Sequence, residues 1–458
     1  MRVKGDRRVS CALVSLLVMG FVQSFADERG AVPNELDGVA GAETLTAPQR
    51  EAVGANGFVI LPQEYKQIFE VYNELKPPFF ITADSVIQAF SVILEDCIRK
   101  QESTFYDDLC ECLVRLEEGV QAIRQQLDSG PATGGQDAKR CEAAYVFLAG
   151  FCGTAGRLLD PAFPVDARVA GIVSREVALI EGAAGEAESP LTRGLRDYSS
   201  FAAKRREGVR KRGQRYYRCV EFLKTTGFRV ESEREALAMT LLALYGDVHM
   251  IVPRLSEFWT RVFGGSDDLG IQDAAVWRSL TAAVPEMYWR GPGVLSGPYP
   301  ARADDLRRFS AAVQRSLRAA RAPRINDGDL SVGEFRDWER MTKSVRLLGA
   351  VYLPDAELLF RGAEPHLEGR ELPSALDVGV LLGSERARRL IGGTEPSSAV
   401  RHVEEWVGRV DVTGESLYCR FLRILRGYLE EGRRNAGLQR AFGTPGWEDK
   451  TLNTVLCG

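Results

Sequence analysis

Five aspartates in short, distinctive phrases are the residues best suited to chemistry in this 458-residue chain. Asp267 and Asp268 are adjacent and follow Gly264-Gly265-Ser266. Neighbouring carboxylates on a glycine turn can hold a cation or divide the roles of acid and base. Asp84 lies in Thr82-Ala83-Asp84-Ser85 at the start of an apolar helical pattern, and Asp355 follows Pro354, with Arg346 nine residues earlier on what reads as the preceding helix. Asp377 stands between apolar neighbours, with Arg370, Ser384 and Arg386 nearby in sequence. A carboxylate among apolar side chains is paired or shifted in pKa, and Arg370 or Arg386 is the expected partner. Each aspartate also suits a plain structural role, because an acid in the first turn of a helix faces the positive end of the dipole. The functional expectation is that at least three of the five line one cavity with Arg346 beside them. The structural alternative is five independent helix-start acids.

A second cluster is basic. Residues 204–218, KRREGVRKRGQRYYR, hold Lys204, Arg205, Arg206, Arg210, Lys211, Arg212, Arg215 and Arg218 against a single acid. The whole chain has a net charge of −4, so bulk attraction to nucleic acid is not expected. An anionic polymer or envelope component is the better partner for such a stretch, and a solvated basic loop is its plain reading. NDGDLSVGEF (326–335) imitates the second half of a calcium loop, but Pro323 and Ile325 stand where carboxylate ligands belong, and Ser331 with Glu334 is equally a capping box. His249, His366 and His402 are isolated, and with three histidines and no CxxC no metal site is expected. GxSxG, HExxH, the P-loop and the dinucleotide-binding glycine motif are missing, so no cofactor is expected.

Export is written at the start. MRVKGDRR carries four basic residues and one acid, an apolar uncharged run follows, and Ser24-Phe25-Ala26 places small residues where signal peptidase cuts. Residues 1–26 read as a signal peptide, the alternative being an uncleaved anchor helix, for which the apolar run is short; cleavage leaves a periplasmic or extracellular chain that begins at Asp27 and has no transmembrane span. Eight of the nine cysteines follow that point. An even number in an exported protein permits disulfides, whereas a cysteine on an apolar helical face packs as a small hydrophobe. Cys110 and Cys112, two apart on a helix, point to different sides and do not pair with each other.

These residues must be positioned by helices. Residues 27–55 are polar and rich in Gly and Ala, a loose leader. From residue 62 onward apolar residues recur at spacings of three and four. Ile87, Phe90, Leu94, Cys97 and Ile98 mark one helix; Leu109, Cys112, Leu113, Leu116 and Val120 mark the next. Residues 141–159 are apolar on all sides and predict a buried helix, and Ser232 with Glu235 opens a core helix through a capping box. Further helices are expected at 250–263, 271–286, 302–319, 331–348, 383–391, 399–408, 414–431 and 435–442, with Leu417, Phe421, Ile424 and Tyr428 as the inner face of 414–431. The fold class is all-α, a large multi-helix array, toroid-like in one arrangement, with long loops and at most short strands. One helical domain covers 56–458, with a seam near 288–301, where GPGVLSGPYP interrupts the pattern.

Several phrases together resemble a bacterial family catalogued as domain of unknown function 3160. They are NGFVI (56–60), PPFFITADSVIQAF (77–90), SPLTRGLRDYSSF (189–201), FGGSDDLG (263–270), VRLLGAVYLPD (345–355), GRELPSALDVGVLLGSERA (369–387) and WEDKTLNT (447–454). All five aspartates fall inside them. The resemblance implies a largely helical exported protein and supplies no activity. The chain departs from the family pattern where that pattern is polar. Gln88 and Ser91 stand at histidine positions, AAKRREGVRKRGQRYY replaces a Pro-Arg-Gly-His-Tyr type motif, and Ala350 and Val351 replace Gln-Arg. The pattern also implies a further C-terminal part beyond the Leu-Asn-Thr segment, making this a divergent and C-terminally short member. Framework positions kept and polar ones lost favour a non-catalytic envelope or extracellular binding protein. The alternative is a polymer-acting hydrolase or lyase that uses carboxylates in a helical cleft.

Overall fold

The computed structural model describes residues 45–56, 60–61, 70, 83–129, 135–202, 211–245, 248–271, 273–285, 303–325, 342–349, 351–362, 374–392, 398–434 and 445–457, together with the pair 14–15. Helix accounts for 72% of the described residues, and the strands are short. The elements run α1 (Ala47–Asn56), α2 (Ala83–Ser129), α3 (Gln136–Leu159), α4 (Ala170–Gly182), β1 (Glu186–Glu188), β2 (Leu195–Asp197), α5 (Lys211–Thr225), β3 (Gly227–Arg229), α6 (Glu233–Tyr245), α7 (Val248–Phe263), β4 (Leu269–Gly270) and α8 (Ala274–Ala283). They continue with α9 (Ala303–Arg318), β5 (Ser344–Arg346), α10 (Pro354–Gly362), α11 (Ala375–Leu381), α12 (Glu385–Gly392), α13 (Ser398–Val407), α14 (Leu417–Arg434) and α15 (Pro445–Cys457). Val14–Ser15 also pairs antiparallel with Ile60–Leu61.

Two compact units divide the chain. One comprises Ile98–Glu357 with Glu415–Leu417, the other Met1–Cys97, Leu358–Gly414 and Tyr418–Gly458. The larger unit is organised on α3, which packs against α4, α5, α6 and α9. Tyr145, Phe147, Leu148, Phe151, Cys152, Leu158 and Leu159 on this helix are all buried, as a helix apolar on every side requires. Gly156 lets the chain fold back on it: a Cβ there would lie 2.1 Å from Cδ1 of Phe163. The smaller unit is built on Ala83, Leu381, Leu382, Phe421, Leu422 and Leu425, with Phe90 stacked on Phe421 at 4.0 Å between ring centroids.

A three-stranded sheet in the order β3-β5-β4 lies in the larger unit. β3 runs antiparallel to β5, pairing Gly227 with Arg346 and Arg229 with Ser344, and β4 runs parallel to β5, pairing Leu269 with Val345 and Gly270 with Arg346.

Several expectations change. Residues 344–346 form a strand, not the end of a helix over 331–348, so Arg346 reaches its site from a sheet. All three strand residues are buried, and a strand covered on both faces shows no alternation by which to recognise it. The two helices marked by Ile87–Ile98 and Leu109–Val120 are one helix of 47 residues, since no Gly or Pro separates them. Helix α1 occupies part of the stretch read as a loose leader. On α14 the buried residues are Cys419, Phe421, Leu422 and Leu425, with Tyr428 packed against the last three, while Ile424 is 50% exposed. Ser232 accepts from the Glu235 N–H at 3.3 Å, but the Glu235 carboxylate turns to Arg229, so only half of the capping box forms. The cysteines at 97, 110, 112, 141, 152, 219 and 419 are free thiols. The 288–301 seam, the 326–335 loop and the helix over 435–442 lie outside the described residues.

Replacing Gly156 by Ala tests the close approach on which α3 depends. The methyl group has to displace a ring, and overpacking of this kind costs about 1–3 kcal/mol, more than the gain in helix propensity. A lower midpoint in urea denaturation is the expected result.

Candidate functional site

The paired aspartates and Arg346 meet in the larger unit. α7 ends at Phe263, and Gly264, at φ +103°, turns the chain as few side chains allow. Ser266 bridges Val351, and Asp267 and Asp268 follow, 4% and 3% exposed. Asp267 accepts the backbone N–H groups of Arg324 at 3.0 Å and Ile325 at 2.9 Å. Asp268 receives Nε of Arg346 at 2.5 Å, and Nη1 of that guanidinium donates to the Lys224 carbonyl at 2.6 Å. Beside them the Arg324 guanidinium lies 3.7 Å from the centre of the Tyr352 ring and 3.7 Å from the Glu357 carboxylate. The Tyr352 hydroxyl donates to Glu357. Burial raises the Tyr352 pKa, and the hydrogen bond to Glu357 adds to the effect because the hydroxyl proton is held by a carboxylate. Asp355 sits in the first turn of α10, half-buried. Arg324, Tyr352 and Glu357 were not among the sequence candidates; the VYLPD phrase was the available signal for Tyr352.

The other candidates sit in local arrangements. Asp84, in the first turn of α2, receives Nζ of Lys450 and, at 3.3 Å, the Thr454 hydroxyl. Asp377 closes a capping box on α11: its carboxylate accepts the Ser374 N–H at 3.1 Å, and the Ser374 hydroxyl accepts the Leu376 N–H at 3.2 Å. The expected pairing of Asp377 with Arg386 does not form; Arg386 is bidentate on Asp449 at 2.5 and 2.9 Å. Ser384 caps α12, accepting from the Ala387 N–H. Arg370 and Thr82 lie outside the described residues. So do Lys204, Arg205, Arg206 and Arg210, whereas Lys211, Arg212, Arg215 and Arg218 lie on α5. Arg212 pairs with Asp107 at 2.7 Å and stacks on Tyr106. Among the described residues no group of three or more His, Cys, Asp or Glu is placed to hold a metal ion.

Sequence reading also passed over a cavity of 380 Å³ in the larger unit, between α2 and the Phe163–Pro164 turn. Glu117, Glu118, Gln121 and Gln125 line it, with apolar Val114 and Ala122. Glu117 is 8% exposed and accepts from the Gln121 amide at 3.0 Å. Burial pushes its carboxyl above the usual glutamate range; the Gln121 hydrogen bond opposes that, and the charge of Asp166 adds to it.

The family described as "Protein of unknown function (DUF3160)" matches residues 46–458. The chain belongs to that family. No curated protein and no solved structure matches it.

The geometry explains why this DUF3160 chain carries its phrases together. The Asp84 of ITADS meets the Lys450 and Thr454 of WEDKTLNT. The Asp268 of GSDDLG meets the Arg346 of VRLLG. The Tyr198 of DYSSF donates to Glu176, a fully buried carboxylate that also receives the Ser189 hydroxyl at 2.7 Å and lies 3.7 Å from Arg196. Distant parts of a DUF3160 chain are thereby tied by charged or hydrogen-bonded side chains.

Two substitutions separate clasp from groove. Asp268→Asn strands the Arg346 guanidinium in the interior and lowers stability by about 3–5 kcal/mol in chemical denaturation. Glu257→Gln, at an exposed pair with Arg261, changes it by less than about 1 kcal/mol. Glu117 behaves in the opposite sense. A carboxyl whose folded pKa is raised contributes stability below its unfolded pKa and loses it as pH rises through the folded value. Glu117→Gln therefore raises the melting temperature at neutral pH, and the difference vanishes below about pH 4.

Proposed function

We propose that this family member is a non-catalytic, exported binding protein of the envelope or extracellular space. One observation carries the reading: Asp267, Asp268, Asp84 and Asp377 accept hydrogen bonds or ion pairs that hold the fold together. An acid–base pair must exchange protons with a substrate, and a glycosidase needs two carboxyl groups about 5–10 Å apart facing it. Carboxylates held by backbone N–H groups, by Arg346 and by Lys450 serve that purpose poorly. The order of charge, apolar run and small residues over 1–26 supports export.

The partner is an anionic polymer or envelope component, met by the basic segment 204–218. Lys211, Arg215 and Arg218 recur at spacings of four and three along α5; Lys211 is exposed and Arg215 and Arg218 are half-buried, while Tyr216, Cys219, Val220, Phe222 and Leu223 are buried. Polygalacturonate is a suitable probe. Retention of the protein on immobilised polygalacturonate should fall as salt rises, and Lys211→Gln/Arg215→Gln should elute at lower salt with an unchanged melting temperature. Equal retention of the variant, or release of new reducing ends that depends on Asp267 or Asp268, would replace this reading with another.

A further inference from the structure

The groove beside α2 has a composition that specifies a ligand class. Positions 114, 117, 118, 121, 122 and 125 recur at helical spacing and form one stripe, about 16 Å long at a rise of about 1.5 Å per residue. Its polar members are two carboxylates and two amides, and among the described residues no Lys, Arg or His lines it. The nearby Asp166 already has donors of its own, the Tyr145 hydroxyl and Arg124 at 3.0 Å. The charge asymmetry therefore belongs to Glu117 and Glu118.

Three ligand classes fit poorly. An anion would face the carboxylates. A sugar would want an exposed aromatic platform, but Phe163 is 7% exposed, its ring seated on Gly156. A hard divalent ion takes six or more oxygens, largely from carboxylates, and no such group exists among the described residues. What remains is an organic cation whose ammonium groups are joined by an apolar chain. An ammonium group supplies the counter-charge that the buried Glu117 carboxylate lacks beyond its Gln121 amide. Methylene groups match the apolar margin of Val114, which is 50% exposed, Ala122 and Pro164.

We propose that this groove binds linear aliphatic diamines, with one ammonium at Glu117 and Glu118, the alkyl chain along Ala122 and Pro164, and the second ammonium at the side-chain carbonyls of Gln121 and Gln125. The site is independent of the basic face of α5, so either can fail without the other.

Isothermal titration of the full chain with pentane-1,5-diamine at low salt tests it. Saturable binding at one site is expected, with pentane-1,5-diol silent. Glu117→Gln/Glu118→Gln should weaken diamine binding by about tenfold or more, and Ala122→Phe, which fills the groove without changing its charge, should abolish binding. Glu257→Gln/Glu405→Gln removes two exposed acids elsewhere and should leave affinity within about twofold. A melting curve confirms that each variant is folded. Non-saturating heat, equal weakening in both charge variants, or unaltered binding in Ala122→Phe would each overturn the assignment.

Discussion

An arginine keeps its charge even in a protein interior, and Arg346 is 3% exposed. Its need for a carboxylate constrains the larger unit more than any other single contact. Asp268 meets that need, so the turn after α7 has to lie against β5. The fit is close: Gly349, at φ +67°, leaves β5 where a Cβ would lie 2.5 Å from Oγ of Ser266. With the turn fixed, Asp267 points at residues 324 and 325 and takes their N–H groups, which sets the path of the chain after α9. A buried ion pair adds little net stability over an apolar replacement, yet breaking it is costly, so its effect is to select one arrangement of the turn, β5 and the segment after α9.

Helices were legible in the sequence where one face is apolar and the other wet. The stripe Leu109, Cys112, Leu113, Leu116 and Val120 is buried as its spacing requires, and α7, α8, α9 and α13 begin and end within a few residues of their expected limits. Legibility failed where burial removes the pattern. Ser344, Val345 and Arg346 are buried on both faces, so period two and period 3.6 look alike there. Partner choice was less legible still. Arg386 lies nine residues from Asp377 but bonds Asp449, 63 residues away, because Asp377 is already engaged in its own helix cap. Glu117 went unnoticed because a glutamate on a long helix looks like part of a solvated face; the returning Phe163–Pro164 turn lines the same cavity.

That cover depends on α3. Gly150, Gly153 and Gly156 recur every third residue, and Cβ atoms there would lie 2.9 Å from Leu191, 3.0 Å from Val173 and 2.1 Å from Phe163. The helix therefore lets three neighbours approach its backbone at once. Phe163 enters the core against Gly156, and its edge and Pro164 form the wall opposite α2. The groove is thus a consequence of core packing, and its shape is as rigid as the core beneath it.

α2 also explains how surfaces of opposite charge coexist in one unit. Tyr106 and Asp107 on this helix hold Arg212 at the start of the basic face of α5. Glu117 and Glu118 follow about ten residues later, a separation of about 15 Å along the axis. At physiological salt the Debye length is about 8 Å, so charges that far apart across solvent scarcely sense one another. The protein can therefore carry basic residues on α5 and an acidic groove beside α2 on the same scaffold without either neutralising the other. Arg212 and Asp107, by contrast, are in direct contact at 2.7 Å, and their exposed pair offsets one charge of each sign at that end of the helix.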